Sequence, residues 1–342
     1  MKHVAPLPRQ GKGHPTHSTL QRDMYARVST KQRGAALLAA MLTVALVATF
    51  AAGALWQQWK SIEVEGAERQ RTQARWLLTG ALDWARVILR EDARSGDANA
   101  PTDHLAEPWA VPLQEARLSS FLAALPDGTG GTGNTVDDEK LAQQVLLSGQ
   151  VNDLQGRLNV TNLLQGEQLD AKTALAFERL FDALGIPSAQ LSLLTQGLLA
   201  AQKQNSSSPL MPQRMGQLSW LGLSPQALQT LAPHITVLPT RTPVNLNTAS
   251  VQVLYASVPG LSLADAQRLV QQRERQHWAS VDTFQKALGR TVSLNDTHSV
   301  STRYFEVLGR LRMPQTTLQE RSLVQRDGQD LKVIWRESGS LQ

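Results

Sequence analysis

Hydrophobic and polar positions divide the chain into stretches of different period. From Gly34 to Trp59 no charged side chain occurs, and Ala35 to Trp56 reads AALLAAMLTVALVATFAAGALW. A helix that crosses a bilayer needs about 20 consecutive apolar residues, so the run predicts one transmembrane helix over 35–56. Its alanines are weakly hydrophobic but let a second helix approach closely. Beyond Trp59, residues Ile62, Ala67, Trp76, Leu77, Gly80, Trp84, Val87 and Ile88 recur at helical spacing with no intervening proline, and charged side chains from Lys60 to Arg75 fill the other faces. A single helix from Ala35 to about Arg94 would be about 90 Å long at about 1.5 Å per residue; two helices broken near Gly66 are the alternative. The faces around Trp76, Trp84 and Ile88 are expected to pack on a soluble core.

The pattern then shortens. Ser95 to Pro112 reads as a polar linker. Pro126 to Asp138 is a glycine-rich loop that lacks both the Gly-Lys-Ser/Thr ending and the preceding strand of a phosphate cradle. Gln143 to Leu164 alternates in short β-type runs, with turns expected at Ser148-Gly149 and Leu154-Gln155-Gly156. From Gly166 to about Ser301 the period is helical again. Three pieces open alike, at Leu184-Gly185-Ile186-Pro187, Leu221-Gly222-Leu223-Ser224 and Pro259-Gly260-Leu261-Ser262, each a tight turn leading into an amphipathic helix. The tail alternates once more over Tyr304–Met313, Thr317–Gln325 and Leu331–Trp335, with Asp327-Gly328 as a hairpin signal. Strand-type runs on both sides of the helical pieces predict an α+β chain in which an all-α module is inserted into an antiparallel α/β core.

Charge changes this picture only through its location. The chain of 342 residues carries a formal charge of +5, which by itself points to a polyanionic partner. Lys2, Arg9, Lys12, Arg22, Arg27, Lys31 and Arg33 precede the apolar run, against the one acid Asp23. Removing these from totals of 34 and 29 leaves 27 basic and 28 acidic residues, a net of −1. The positive charge is therefore an orientation signal, with the N-terminus cytoplasmic and the bulk of the chain across the membrane.

Reactive chemistry is sparse. The absence of cysteine excludes disulfides, thiolate metal sites and a cysteine nucleophile. His3, His14 and His17 precede the span, and His104, His234, His277 and His298 are scattered singly, without zinc spacing or a nucleophile motif. No catalytic residue is assigned and a non-enzymatic role is expected. Asp137, Asp138 and Glu139 offer oxygen ligands, but three consecutive acids cannot fill the roughly six to eight positions calcium takes, so an exposed acidic loop is preferred.

The sharpest motif runs from Pro243-Val244-Asn245-Leu246-Asn247-Thr248-Ala249-Ser250 through Val258-Pro259-Gly260-Leu261 to Trp278–Phe284. It resembles a helix-hairpin-helix unit, with Asn247 or Thr248 as helix cap, Pro259–Ser262 as the hairpin and Phe284 closing a second helical pair. DNA-binding versions have Gly-hydrophobic-Gly in the hairpin so that bare N–H groups meet a phosphate. Here Ser262 stands at the second glycine. Arg268, Arg273 and Arg275 follow, but the near-neutral remainder of the chain lacks a nucleic-acid footprint. A membrane-anchored DNA receptor for uptake is the alternative function, with nucleic acid not the expected partner.

An ordinary secretory signal has an apolar region of about 7 to 15 residues ending in a break, which this run is not. Lys31-Gln32-Arg33-Gly34 followed by Ala35 is instead similar to the cleavage site of type IV pilins and their relatives. With Val151-Asn152-Asp153, Asn162, the Val244–Ala249 motif and the final strands, the chain over Arg33–Glu337 resembles the minor pseudopilin K family of type II secretion systems. The resemblance implies a division into a leader (1–34), a transmembrane helix (35–56), a pilin-like α/β core (57–165 and 302–342) and an inserted helical domain (166–301). It implies cleavage by prepilin peptidase between Gly34 and Ala35, with Ala35 N-methylated, and a start at Met1 or Met24. Ala39 stands where most pilin-like proteins carry a glutamate, an absence that suits a subunit with no neighbour above it, since an uncompensated charge in the bilayer is costly. The family role would be a non-enzymatic subunit at the pseudopilus tip. It would join the minor pseudopilins I and J and other pseudopilins, and help start the assembly that exports folded proteins across the outer membrane. The place would be the inner membrane, with the C-terminal domain periplasmic. Some members bind calcium, for which Asp137, Asp138 and Glu139 are the candidates; otherwise no cofactor is implied.

Overall fold

The computed structural model describes residues 32–95, 101–123, 143–203, 208–294, 296–314 and 316–341. Helix α1, Gln32–Ser95, is continuous through Gly66. An interior glycine costs about 1 kcal/mol, too little to break a long helix. The chain forms two compact units that meet between Arg71 and Thr72.

In the first unit every described side chain from Gly34 to Arg71 is exposed. The helix there is long and apolar enough to cross a membrane, and none of its apolar window is buried. Leu37, Leu38, Met41, Leu42, Val47 and Phe50 are all exposed.

The second unit begins with the remainder of α1, followed by β1 (Leu113–Arg117), α2 (Leu118–Ala123) and β2 (Leu146–Asp153). The helical module then runs through β3 (Leu158–Asn159), β4 (Leu164–Gln165), β5 (Gln168–Leu169), α3 (Ala171–Ala183), α4 (Ser188–Gln202) and α5 (Pro225–Leu231). It continues with β6 (Ile235–Thr236), β7 (Val244–Asn245), α6 (Val251–Ser257), α7 (Leu263–Arg275), α8 (Val281–Leu288) and β8 (His298–Ser299). The chain returns to the sheet with β9 (Tyr304–Arg312), β10 (Thr317–Asp327) and β11 (Asp330–Leu341). The five-stranded sheet has the order β1-β2-β9-β10-β11, with every neighbouring pair antiparallel. Two of its neighbours, β2 and β9, are thus separated in sequence by the whole helical module.

Helix α1 packs on the sheet through Ala74, Leu78, Leu82, Ala85 and Leu89, a stripe at intervals of three and four. Trp76, expected in the core, is 72% exposed. Two residues from Ala74 it lies about 200° around the helix, on the opposite face. Trp84 and Ile88 flank the stripe and are half-buried. Close approach of helix and sheet needs glycine: a Cβ on Gly309 would sit 3.1 Å from Leu78 Cδ2. Gly309 pairs with Gly149, which lies inside β2. The turn expected at Ser148-Gly149 is therefore absent, and Gly149 serves the strand, where a Cβ would crowd the Leu308 carbonyl at 3.3 Å.

The linker expected from Ser95 to Pro112 is also corrected over its described part. Pro108–Ala110 forms a 3-10 turn that buries Trp109 edge-on against Phe305, with ring centroids 5.2 Å apart. Three turns do behave as their common pattern predicts: Gly185, Gly222 and Gly260 have φ of +66°, +94° and +67° and precede α4, α5 and α7. The module's core already includes Leu158, Val160, Leu163 and Leu164, ahead of Gly166, and its two-residue parallel pairs β3–β6 and β7–β8 add strand character to the helical pattern. At the tail, Gly328 (φ +58°) turns the hairpin between Asp327 and Asp330. A bulge makes Ile334 the extra residue between the pairs Val324–Val333 and Leu323–Trp335, and Ile334 and Trp335 both pack on Leu154, Leu238, Tyr304 and Leu323.

Candidate functional site

The Val244–Ala249 motif lies at the seam between the sheet and the helical module. Asn245 is wholly buried at the end of β7. Its amide Nδ2 donates to the Asp153 carboxylate (2.9 Å) at the end of β2 and to the Asp103 carbonyl (3.0 Å), and its Oδ1 accepts the Asn247 N–H at 3.0 Å. Thr248 Oγ1 donates to the same Asp153 oxygen at 2.5 Å. Asn247 turns the other way and grips Trp278, accepting its N–H at 2.8 Å and donating to its carbonyl at 3.0 Å. Trp278 in turn stands edge-on to Phe284 of α8 at 5.7 Å. Neither Asn247 nor Thr248 caps a helix, because both side chains are spent on the seam. Ser250 caps α6 instead, accepting the Val253 N–H.

Gln155, which the sequence marks only as part of a turn, completes the seam. It is 2% exposed; its Oε1 accepts the Arg303 N–H at 2.8 Å and its Nε2 donates to the Pro243 carbonyl at 3.2 Å. The neighbouring Gly156 lets this turn lie against the motif, since a Cβ there would sit 2.7 Å from Thr248 Oγ1. Burial pushes the Asp153 carboxyl above the usual range, opposed by the donors around it, Thr248 foremost.

The hairpin is occupied from within the chain. Arg179 of α3 donates to the Val258 and Leu261 carbonyls, both at 2.8 Å, and lies 4.5 Å from the centre of the Tyr255 ring. Arg290 donates to the Pro259 carbonyl at 2.9 Å, so close to Gly260 that a Cβ there would meet its guanidinium at 2.8 Å. Arg273, buried on α7, donates to the Leu246 carbonyl at 2.7 Å. No signal in the sequence singles out Arg179, because its targets lie about 80 residues downstream.

A second cluster joins α1 to β10. Arg326 bridges Asp92 (2.8 Å) and the buried Asp103, and Glu107 lies beside them. Burial raises Glu107 to about 7; the His104 N–H bond and the 2.5 Å Trp109 indole donation oppose this, while Asp92 and Asp103 add to it. Asp92, Asp103 and Glu107 are the one close trio of possible ligands among the described residues. With the Arg326 guanidinium already pairing two of the three, the trio does not fit a calcium site. Two histidines that look isolated in the sequence are brought together: His104 and His277 stack with centroids 3.8 Å apart. Burial, and then the neighbouring His277, lower the pKa of His104. Burial lowers buried His298 to about 4, and its ring contacts Thr297 and Ser257 at 2.8 and 3.0 Å.

Of the residues singled out for processing, Gly34, Ala35 and Ala39 lie exposed in the first turns of α1. Asp137, Asp138 and Glu139 fall outside the described residues. Among the described residues the site holds carboxylates, amides and guanidiniums that are bonded to one another rather than a nucleophile beside a base. What it can do is lock the helical module onto the sheet. Leu210, Met211 and Trp220 remain exposed and line one groove on the module.

Residues 156–240 and 244–301 match two models of the type II secretion system protein K family. The second match begins at Val244, the first residue of the buried seam motif. Type II secretion system protein K of Pseudomonas aeruginosa is 27% identical over 336 residues, covering 90% of this chain and 93% of the relative. The protein of the same name from Pectobacterium carotovorum is 28% identical, covering 91% and 97%. In fold, the chain is similar to a chain of the crystal structure of the GspK-GspI-GspJ complex from the enterotoxigenic Escherichia coli type 2 secretion system, with a TM-score of 0.59 at 21% identity, covering 80% of this chain and 98% of that one. The chain is similar to the type II secretion system protein K family along almost its whole length.

Proposed function

We propose that this minor pseudopilin acts at the tip of the type II secretion pseudopilus, where it joins the minor pseudopilins I and J and helps start the assembly that exports folded proteins. The observation that carries the reading is the likeness to protein K along almost the whole chain, beside an α1 whose apolar window is left unburied by the described residues. A structural relative was solved in a complex with I and J. In this reading prepilin peptidase cuts between Gly34 and Ala35 and Ala35 is methylated. The apolar half of α1 then spans the inner membrane, with the residues beyond it in the periplasm, and Ala39 leaves the tip subunit without a membrane-buried acid. The role needs neither catalysis nor a cofactor, because the seam supplies rigidity and the exposed surfaces supply contacts.

The test is to mix the detergent-solubilised mature chain with the I and J proteins of the same secretion system and measure the mass of the product by light scattering. A complex of one copy of each is expected, and three separate species would overturn the reading. The same preparation should fail to retard duplex DNA at physiological salt. Salt-sensitive retardation that is lost in Arg290→Ala would favour a DNA receptor instead.

A further inference from the structure

We infer that Trp56 and Trp59 form a lipid-headgroup anchor that sets the depth of the mature helix in the bilayer. The inference rests on the reading of α1 as a membrane span and goes beyond it by naming the interface. The two indoles are exposed, at 67% and 59%, and lie on one face of the helix with ring centroids 5.6 Å apart. Measured from Ala35, Trp56 stands 21 residues along, about 32 Å at a rise of about 1.5 Å per residue. The hydrocarbon core is about 30 Å thick, so an N-terminus at the cytoplasmic boundary places Trp56 at the opposite boundary and Trp59 about one turn further out, among the headgroups.

The neighbouring residues fit the same level. Trp56 ends the apolar run, Gln57 and Gln58 separate the two indoles, and Lys60 is the first charge after Arg33. An indole has an apolar body and a polar N–H, and it prefers this wet boundary to either hydrocarbon or bulk water. The other side of the membrane makes the pair matter. All seven basic residues ahead of the span lie before Gly34, so cleavage after Gly34 removes the basic side chains that would otherwise resist sliding and leaves only the α-amine of Ala35 on that side. Trp56, Trp59 and Lys60 are then the side-chain anchors beside the span, opposite the single α-amine that Ala35 keeps at the cytoplasmic boundary. The partner of this surface is the phospholipid headgroup layer of the outer leaflet.

The natural absence of cysteine allows a direct test. Single cysteines at Ala45, Ala54, Gln58 and Ser61 of the mature full chain are labelled with a nitroxide, and the chain is reconstituted in vesicles of phosphatidylcholine and phosphatidylglycerol. Accessibility to oxygen and to a water-soluble nickel complex then gives the depth of each label. The label at Ala45 should be oxygen-rich and the crossover to nickel should fall between Ala54 and Ser61. In Trp56→Leu/Trp59→Leu the apolar run is extended, and the crossover should move outward by about one helical turn, ~4 residues. A crossover elsewhere, or one unmoved by the double substitution, overturns the anchor while leaving the span intact. A nickel-accessible label at Ala45 overturns the membrane reading itself. Circular dichroism identical to that of the parent chain confirms that the variants remain helical.

Discussion

Replacing Asn245 with alanine tests whether the sharpest motif of the sequence is a buried clasp or a surface for partners. The side chain makes three hydrogen bonds in a site with no solvent exposure, to the Asp153 carboxylate, the Asp103 carbonyl and the Asn247 N–H. Truncation leaves all three partner groups short of a bond, and each buried unsatisfied group costs about 1–3 kcal/mol. Asp153 keeps Thr248 and the Gln155 N–H at 2.7 Å, so its share falls at the low end. The sum is about 3–5 kcal/mol. At about 2–3 °C per kcal/mol for a domain of this size, the thermal midpoint should fall by ~10 °C. Differential scanning calorimetry of the full chain in detergent measures it, with Thr248→Ser, which keeps the hydroxyl, as a mild control. A fall of less than about 2 °C would refute the clasp and return the motif to the surface.

Arg179→Met keeps the aliphatic stem but strips the hairpin carbonyls of a charged donor; hydrogen bonds to charged groups are worth about 1.5–3 kcal/mol each, so unfolding by urea should show a loss of about 2–4 kcal/mol. Gly156→Ala drives a methyl into Thr248 and its backbone and should cost about 1–3 kcal/mol by the same measurement. Glu107 is raised to about 7 in the folded chain against an ordinary value of 4.5. Its contribution is therefore present below pH 4.5 and lost as the pH rises through 7. Glu107→Gln should flatten the decline of the thermal midpoint between these limits, and an unchanged profile would remove Glu107 as its cause. Trp76→Ser should change stability by less than about 0.5 kcal/mol, since exposed positions contribute little, and a larger loss would contradict the sheet-facing stripe assigned to α1.

Features with local causes were legible in the sequence. The length of α1 follows from an unbroken helical period, the tail hairpin from Asp327-Gly328, and three helix starts from glycines that adopt positive φ. The face of α1 that meets the sheet was not legible. Large apolar residues stand on both faces, and the choice between Trp76 and the Ala74–Leu89 stripe is made by a sheet whose Gly309 admits Leu78 at close range. Asp103 and Trp109 sit in a proline-bounded polar segment that reads as linker. Their burial depends on Arg326 and Phe305, with Arg326 standing 223 positions after Asp103. The Asn245 motif was recognisable as a pattern, but its role was hidden for the same reason, since Asp153 is 92 residues away. Side chains that look like caps or turn formers were taken by long-range partners, which left capping to Ser250.

The central claim is that a pseudopilin helix is cut from its leader and retained on the mature subunit. Intact-mass and N-terminal mass spectrometry of the protein recovered from the inner membrane of a secreting cell tests it most directly. The account predicts a chain that begins at Ala35, carries one methyl group on its amine and keeps the whole of α1 beyond Gly34. A chain that retains Arg33 and Gly34, or one cut beyond Gly53 so that the apolar helix is lost, would contradict it.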